Sequence, residues 1–274
     1  MYIFLIVLLL IIILYFILIC PNLSRRHLME PFLHTRWAHR GYHSIEHHIP
    51  ENSMPAFARA IELGYGIEMD VHLTKDKQLV VFHDDTLRRI CNSNGVIEQM
   101  TYQELSQYRL SGTYEKMPLF SDFLAFVHGR VPLLIEIKMP GWDYTICKYI
   151  KEALADYDGA YLLQSFNTIA LRWFHIHMPE ALIGQLSSNL TKTAKHVPYA
   201  ANFIAKHLLC NRYGRPDFIS YKLADAKTPS LWFVHHLYRT PIAVWTLRTK
   251  KAQEIGTVCF DMNIFEDHGI DYQI

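Results

Sequence analysis

The sequence predicts an α/β protein: a (β/α)8 barrel of the TIM type, preceded by one N-terminal transmembrane helix. Two observations lead to this fold class. Short apolar runs alternate with amphipathic stretches from residue 36 onward, and residues 1–20 are apolar throughout. Strands that alternate with helices form parallel sheets, and eight such units in about 240 residues fit a closed barrel. A doubly wound open sheet is the alternative architecture.

The composition excludes several classes of protein. The chain has 274 residues, 27 Lys+Arg against 26 Asp+Glu, and 50% hydrophobic residues. A disordered chain would be more charged and less apolar, and a protein that holds nucleic acid by bulk electrostatics would be basic. The five cysteines are widely spaced and form no C-x-x-C pair, so they indicate neither a disulfide scaffold nor a zinc ribbon.

The first element is a predicted membrane anchor. Residues 1–20 contain no charge, Gly or Pro, and as a helix they would measure about 30 Å, the thickness of a bilayer core. A cleaved signal peptide would have a basic start and small residues at its end, and both are missing. We therefore expect a single-pass anchor over 1–20 and a linker over 21–35. The positive residues follow the span, which predicts that the remaining chain lies in the cytoplasm: Arg25, Arg26, His27 and Arg36.

The remaining chain, 36–274, reads as one barrel domain. The predicted strands are 36–40, 66–73, 79–82, 133–138, 160–164, 182–186, 217–221, 242–247 and 257–261, with 79–82 extending the second unit. The predicted helices include one capped by Ser53, and others at 144–157, 167–177, 198–210 and 230–239. Segment 85–116 fits the alternation poorly, so we expect it to be a small insertion after the second strand.

The first candidate strand ends in His39-Arg40-Gly41. Gly41 permits a tight turn that leaves His39 and Arg40 at the rim of the barrel. The segment Pro50-Glu51-Asn52-Ser53 follows shortly afterwards.

Later strands carry charged residues where a barrel strand is expected to be apolar. Glu68 and Asp70 are two residues apart on one strand, so both side chains project from the same face. Ligands that are all oxygen atoms select a hard cation, Ca²⁺ or Mg²⁺. The run 79–82 ends before His83, and Glu136 and Lys138 share one face of another strand.

Each pattern also has a structural interpretation. Glu68 and Asp70 could lie on a solvated edge, and Glu136 with Lys138 could form a structural ion pair. Their order at the ends of successive strands favours a single site, because catalytic residues of such barrels lie at the carboxyl ends of the strands. Three carboxylates, a divalent cation, Arg40 and Lys138 together leave one positive charge, which suits a phosphodiester monoanion.

These motifs resemble the glycerophosphodiester phosphodiesterase family over roughly residues 36–261. The matching segments are His39-Arg40-Gly41, Pro50-Glu51-Asn52-Ser53, Glu68-x-Asp70, Thr74-Lys75-Asp76, His83-Asp84 and Glu136-Ile137-Lys138, with weaker matches at Gln164-Ser165-Phe166 and Val244-Trp245-Thr246. The resemblance implies a (β/α)8 barrel with an insertion after its second strand. It also implies these roles: Glu68, Asp70 and Glu136 as metal ligands; Glu51 and Asn52 near the metal; His39 and His83 as the acid–base pair; Arg40 and Lys138 as phosphate contacts; and Trp245 in the substrate pocket.

Two segments depart from the family pattern. Cys259-Phe260-Asp261-Met262 takes the place of a Thr-Asp-x-Pro-like segment, and Arg248 replaces an asparagine after Trp-Thr. Both are expected at the pocket mouth, where they bear on the alcohol group of the substrate rather than on the chemistry.

The predicted activity is metal-dependent hydrolysis of glycerophosphodiesters to glycerol 3-phosphate and an alcohol. Two imidazoles with pKa values near 6.5 can accept and donate the required protons at neutral pH. The attacking group, glycerol 2-hydroxyl or water, stays open, as do the ion and the histidine that acts as base. The alternatives are a lysophospholipase D or sphingomyelinase D-like activity on membrane lipids, and a catalytically inactive phosphodiester-binding module. Expected partners are the substrate and the bilayer, and no nucleic acid.

Overall fold

A closed barrel forms the body of the protein. A computed structural model describes residues 1–193 and 197–266, so residues 194–196 and 267–274 of the predicted barrel domain lie outside the described residues. Within them, one sheet contains nine strands: β1 Arg36–His39, β2 Gly66–Leu73, β3 Leu79–Val81, β4 Leu133–Ile137, β5 Tyr161–Ser165, β6 Leu182–Ser187, β7 Phe218–Lys222, β8 Ile242–Leu247 and β9 Met262–Phe265.

Eight of these strands are parallel and close into a ring in the order β1, β2, β4, β5, β6, β7, β8 and β9, with β9 returning to β1. The predicted (β/α)8 barrel is therefore confirmed. Strand β3 is antiparallel to β2 and forms a hairpin with it outside the ring.

Helices follow most of the strands. The α-helices in the described residues are α1 Tyr2–Ile19, α2 Met54–Glu62, α3 Arg88–Cys91, α4 Tyr102–Leu105, α5 Phe120–Val127, α6 Thr145–Leu154, α7 Thr168–His177, α8 Leu190–Thr193, α9 Tyr199–Lys206, α10 Asn211–Gly214, α11 Pro229–His236 and α12 Lys250–Cys259. Short 3-10 helices lie at Arg26–Phe32, Ile97–Gln99, Leu110–Gly112 and Leu223–Asp225. The Ser53 hydroxyl caps α2 as predicted, because it accepts a hydrogen bond from the Ala56 amide.

The interior of the barrel divides into an apolar and a polar half. Side chains from seven of the eight ring strands form one buried apolar cluster with the helix Arg26–Phe32, which closes the amino-terminal end: Met29, Phe32, Trp37, Leu134, Leu162, Leu182, Phe218, Ala243, Met262 and Ile264. Side chains alternate along a strand, so the next inward position after Trp37 is His39, and the next after Leu134 is Glu136. The polar half therefore lies at the carboxyl ends of the strands.

The final strand differs from its prediction. The sequence analysis placed it at 257–261, but these residues belong mostly to α12, and β9 is Met262–Phe265. β-branched residues are enriched in strands, so Thr257 and Val258 favour the wrong prediction, although Val258 is exposed on the helix. Thr249 caps this helix, since its hydroxyl accepts a hydrogen bond from the Ala252 amide. The strand after α12 then ends beside Glu266.

The segment predicted as an insertion lies between β3 and α5. It contains α3, α4 and two 3-10 helices around a separate apolar cluster that includes Leu87, Ile97 and Leu110. This cluster also contains Val80 and Phe82, so the insertion packs on the outer side of the β2–β3 hairpin.

The first helix has an exposed apolar surface over most of its length. Among the described residues, α1 is the one helix long and apolar enough to cross a membrane, and such a helix can serve as an anchor or as a signal sequence. Its last residue, Ile19, is fully buried against the barrel.

Candidate active site and metal centre

Three buried carboxylates lie together at the carboxyl end of the barrel. Asp70 on β2 is directly opposite Glu136 on β4 in the parallel register, and Glu68 precedes Asp70 on the same inward face. Ligand oxygens of Glu68, Asp70 and Glu136 lie within 4.8 Å of one another. The side-by-side placement predicted from the spacing of two residues is present. Such a cluster of hard oxygen donors can hold a divalent cation.

Cations and amides surround this cluster. The Lys138 ammonium lies 2.8 Å from Oδ1 of Asp70 and also contacts Glu136. The Arg40 backbone amide donates to Oε2 of Glu68 at 3.1 Å, and its guanidinium Nε lies 3.7 Å from Oδ2 of Asp70. The two cations predicted as phosphate contacts are therefore beside the carboxylates.

The pKa values of two carboxyl groups in the cluster, Glu68 and Asp70, are shifted in opposite directions. Burial raises the pKa of Glu68 well above its usual value, and the neighbouring charges of Asp70 and Glu136 raise it further. Burial also disfavours the charged form of Asp70, but Lys138 and other cations outweigh it and lower the pKa of Asp70. The carboxylates thus repel one another in this geometry, and a divalent cation would relieve that repulsion.

The hydrogen bonding of two amide side chains indicates whether the site fits a metal ion. The Asn52 amide donates to Oδ2 of Asp70 at 2.9 Å, and the Gln164 amide donates to Oε1 of Glu68 at 3.2 Å. The amide oxygens Oδ1 of Asn52 and Oε1 of Gln164 are buried without a hydrogen-bond partner in the described residues. Buried carbonyl oxygens without a partner are costly unless a cation or water binds them, so the donor set fits a hard divalent ion.

His39 ends β1 and lies inside the site. Its Nδ1 is 2.6 Å from Oε1 of Glu266, and its Nε2 is 4.0 Å from Oε2 of Glu68. Burial lowers the pKa of His39 to about 4, although the Glu266 carboxylate opposes this shift. A neutral imidazole that donates from Nδ1 to a carboxylate has its lone pair on Nε2.

Glu266 is a site residue that the sequence analysis missed. The Arg248 guanidinium donates to both of its oxygens, from Nε at 2.6 Å and from Nη2 at 2.7 Å. Burial raises the pKa of Glu266, but the hydrogen bonds from His39 and Arg248 outweigh it, so the net shift is downward. Glu266 lies here rather than the segment 259–262, because the last strand begins later than the sequence predicts, and the half-exposed Arg248 contacts Glu266.

His83 reaches the site by way of the hairpin. Strand β3 runs back along β2, so the residues after it return toward Asp70, whose carbonyl accepts a hydrogen bond from the Phe82 amide at 3.1 Å. Nδ1 of His83 lies 2.6 Å from Oδ1 of Asp84. The side chain of His83 is partly exposed, unlike that of His39.

Arg89 from the insertion joins two parts of the site. Its guanidinium donates to Asp84 at 2.7 and 2.9 Å and to Glu51 at 2.7 Å, and Glu51 in turn accepts from Arg40 at 2.7 Å. Glu51 is therefore paired with arginines rather than placed in the carboxylate cluster. No spacing in the sequence singles out Arg89, because Glu51, one of its two partners, lies 38 residues away.

Trp245 lies near the end of β8, half-buried. Its ring is 5.9 Å from the ring of Phe166 in an edge-on arrangement. Phe166 and Asn167 also line a cavity that reaches His83, Glu136 and Lys138. Aromatic side chains therefore lie on one side of the charged cluster, and the role of Trp245 in the substrate pocket stays a prediction.

The fold and the site together define a (β/α)8 barrel with enzyme-like side chains at the carboxyl ends of its strands: two histidines, two partly buried cations and a carboxylate cluster. Comparison with known families makes the assignment specific. A model described as the glycerophosphoryl diester phosphodiesterase family matches residues 39–271, and the chain belongs to that family.

Individual relatives agree with this assignment. A glycerophosphodiester phosphodiesterase of Bacillus altitudinis is 34% identical over 166 residues, which cover 56% of this chain and 66% of the relative. A human lysophospholipase D is 30% identical over 156 residues, covering 52% of this chain and 48% of that protein. The matched segments thus span from just under half to just under two thirds of these relatives. A phosphodiesterase of Oleispira antarctica, solved with the product sn-glycerol-3-phosphate, has the same fold, with a TM-score of 0.70 at 22% identity over 86% of this chain and 94% of that one.

Proposed function

We propose that this protein hydrolyses glycerophosphodiesters to glycerol 3-phosphate and an alcohol with the help of a divalent cation. The observation that carries the proposal is the buried cluster of Glu68, Asp70 and Glu136 with His39 beside it, at the end of the barrel where such enzymes act. Family membership and the name of the Bacillus altitudinis relative support the substrate class.

Glu68, Asp70 and Glu136 would hold the cation, and the amide oxygens of Asn52 and Gln164 are available beside them. A divalent cation at this place would stabilise negative charge on the phosphoryl oxygens in the transition state. Lys138 and Arg40 add positive charge on the same side, which favours binding of a phosphodiester monoanion.

His39 is the group we assign as proton acceptor. Its Nδ1 proton is directed to Glu266, so the Nε2 lone pair faces the carboxylate side of the site, where the substrate would bind. It would remove the proton of the attacking hydroxyl, which belongs either to the glycerol 2-position or to water. Glu266 fixes the orientation of the imidazole and stabilises its protonated form, the role that a buried carboxylate has beside a catalytic histidine, and Arg248 holds Glu266 in place.

His83 is the group we assign as proton donor to the leaving alcohol. Asp84 accepts the hydrogen bond from its Nδ1 and orients the ring, and Arg89 holds Asp84 in place. The two histidines therefore differ in their surroundings: His39 is enclosed, whereas His83 borders the cavity that opens to solvent. The alcohol would leave through that opening.

A second candidate function is hydrolysis of lysophospholipids at the same site. The similarity to a human lysophospholipase D favours it, as does α1, which could hold the enzyme at a membrane. Under this proposal α1 is a single-pass anchor, and the three arginines after it favour the cytoplasmic side for the barrel. A protease added to intact cells should then spare the barrel and should digest it after permeabilisation; digestion in intact cells would reverse the orientation.

The deciding experiment uses the full chain in detergent with glycerophosphocholine and lysophosphatidylcholine as separate substrates. Release of glycerol 3-phosphate from the first, abolished by a chelator and restored by Ca²⁺ or Mg²⁺, supports the proposal. Release of choline from the second substrate alone supports the lysophospholipase D function. A protein that cleaves neither substrate with either ion would be an inactive phosphodiester-binding module. The His39→Ala variant is the control for a contaminating enzyme.

A further inference from the structure

The last turn of α1 is part of the barrel's packing. Ile19 is fully buried, and two barrel side chains bind carbonyls of this turn: the Tyr238 hydroxyl donates to the Phe16 carbonyl at 2.8 Å, and the Asn211 amide donates to the Ile19 carbonyl at 3.0 Å. The last four carbonyls of a helix have no partner within the helix, so these bonds satisfy groups that would otherwise be open. A removable leader would leave a buried pocket and two unpaired donors behind.

The residues directly after α1 are also fixed. The Asn22 backbone amide donates to the Pro216 carbonyl at 2.9 Å, and its side-chain amide donates to Oδ1 of Asp217 at the same distance. The Arg25 guanidinium pairs with Asp217 and donates to the Ala181 carbonyl at 2.6 Å. Residues 20–25 therefore form no flexible hinge, and the direction of α1 relative to the barrel is set by these contacts.

One side of the barrel carries these contacts. It is formed by α10, which meets α1 directly, and by α11, whose Phe233 ring lies 5.0 Å from that of Phe16. The same two helices and the residues that follow α11 present large exposed side chains, which we call the α10–α11 surface: Arg212, Tyr213, Trp232 and Leu237. Arg212 also borders an apolar groove along α1 that includes Ile12 and Ile13.

The side chains of the α10–α11 surface are of the kinds that proteins place at a membrane interface. Trp and Tyr concentrate where the headgroups begin, and arginines there keep their charge in water while their stems cover apolar surface. Two further exposed arginines, Arg26 and Arg239, lie close together, since Arg26 donates to the Arg239 carbonyl at 3.0 Å. A cationic, aromatic surface joined rigidly to an apolar helix matches phospholipid headgroups in both charge and position.

We propose that the α10–α11 surface lies against the phospholipid headgroups of the bilayer that α1 spans. The inference rests on the proposed membrane span and not on the proposed catalysis. The opposite side of the ring, where the loop between β4 and α6 carries the exposed Trp142, faces water. Because β4 is the third strand of the ring while α11 joins the sixth and seventh, the two tryptophans lie on opposite sides of the barrel.

The two exposed tryptophans provide a matched test. Trp232 is 55% exposed and Trp142 is 79% exposed, so phenylalanine should be tolerated at both positions. The full chain is reconstituted in phosphatidylcholine vesicles whose acyl chains carry bromine near the headgroup, a quencher of nearby indole fluorescence. We expect Trp232→Phe to remove most of the quenchable emission and Trp142→Phe to leave it unchanged.

Two controls separate the possible failures. Flotation of the vesicles shows first whether α1 holds the chain in the bilayer; a chain that stays at the bottom of the gradient overturns the inference together with the span. A chain that floats but loses its quenchable emission in Trp142→Phe, or in neither variant, shows that another side of the barrel meets the lipid. Glycerophosphocholine hydrolysis by the same vesicles reports on the proposed function independently.

Discussion

Replacing Glu266 tests whether it positions His39, and the structure predicts a graded result. Oε1 of Glu266 accepts from both His39 and Arg248, and Oε2 accepts from Arg248. In Glu266→Gln the amide oxygen can keep the place of Oε1, so the imidazole stays oriented but loses its charged partner. Hydrogen bonds to charged groups contribute about 1.5–3 kcal/mol and neutral ones about 0.5–1.5, a difference of about 1–1.5 kcal/mol. We expect kcat to fall about 5- to 15-fold.

Glu266→Ala removes the acceptor as well as the charge. The whole contribution of about 1.5–3 kcal/mol is then lost, which corresponds to about 10- to 150-fold in rate. Both variants should lower kcat more than they raise KM, since the base acts in the transition state. The assay is release of glycerol 3-phosphate from glycerophosphocholine at saturating cation, with Glu254→Gln, an exposed glutamate of α12, as the matched control.

A double-mutant cycle decides how Glu266 acts. If it works through His39, Glu266→Ala should cost nothing further in a chain that already carries His39→Ala. Additive losses in the double variant would show that Glu266 serves another purpose, such as holding the end of β9. Equal rates for the glutamine variant and the unchanged chain would show that the charge is irrelevant to catalysis.

The other predictions concern the metal, the thiols and the packing of the N-terminal segment. Glu136→Gln should abolish divalent-cation binding by calorimetry together with activity, while the circular dichroism spectrum persists; retained binding would remove Glu136 from the ligand set. Burial raises the pKa of Cys147 to about 12, so a thiol reagent at neutral pH should modify the exposed Cys259 and reach Cys147 after unfolding, an order that mass spectrometry can check. Asp217→Asn leaves Arg25 without its buried ionic partner and should lower the free energy of unfolding in urea by about 1–3 kcal/mol; an unchanged midpoint would mean that the pair contributes nothing to stability.

Local patterns were sufficient for the parts of the site that lie on single strands. Glu68 and Asp70 could be placed on one face because side chains alternate along a strand, and charged residues in a strand that is otherwise apolar are costly without a partner. The same logic placed Glu136 and Lys138 together. The (β/α)8 barrel followed from the alternation of strands and helices, which does not depend on exact boundaries.

The features of the site that the sequence did not predict depend on contacts between distant segments of the chain. Glu266 is 227 residues from His39, and no local spacing encodes such a hydrogen bond. Its detection also failed because Thr257 and Val258, read as a strand, displaced the last strand by several residues. The reversal of direction in β3, which returns His83 to the site, is likewise a property of chain topology.

The division of the barrel interior explains how this chain can bury so many charges. A buried carboxylate is tolerated when hydrogen bonds and cations compensate for lost water, and such partners must converge from several strands. Parallel strands bring their carboxyl ends to one edge, so inward polar groups from several strands converge there, including His39, Glu68, Gln164 and, after β9, Glu266. The apolar half below, closed by the helix Arg26–Phe32, excludes water from that end. The N-terminal segment that joins the proposed anchor to the barrel therefore also closes the end of the barrel opposite the site.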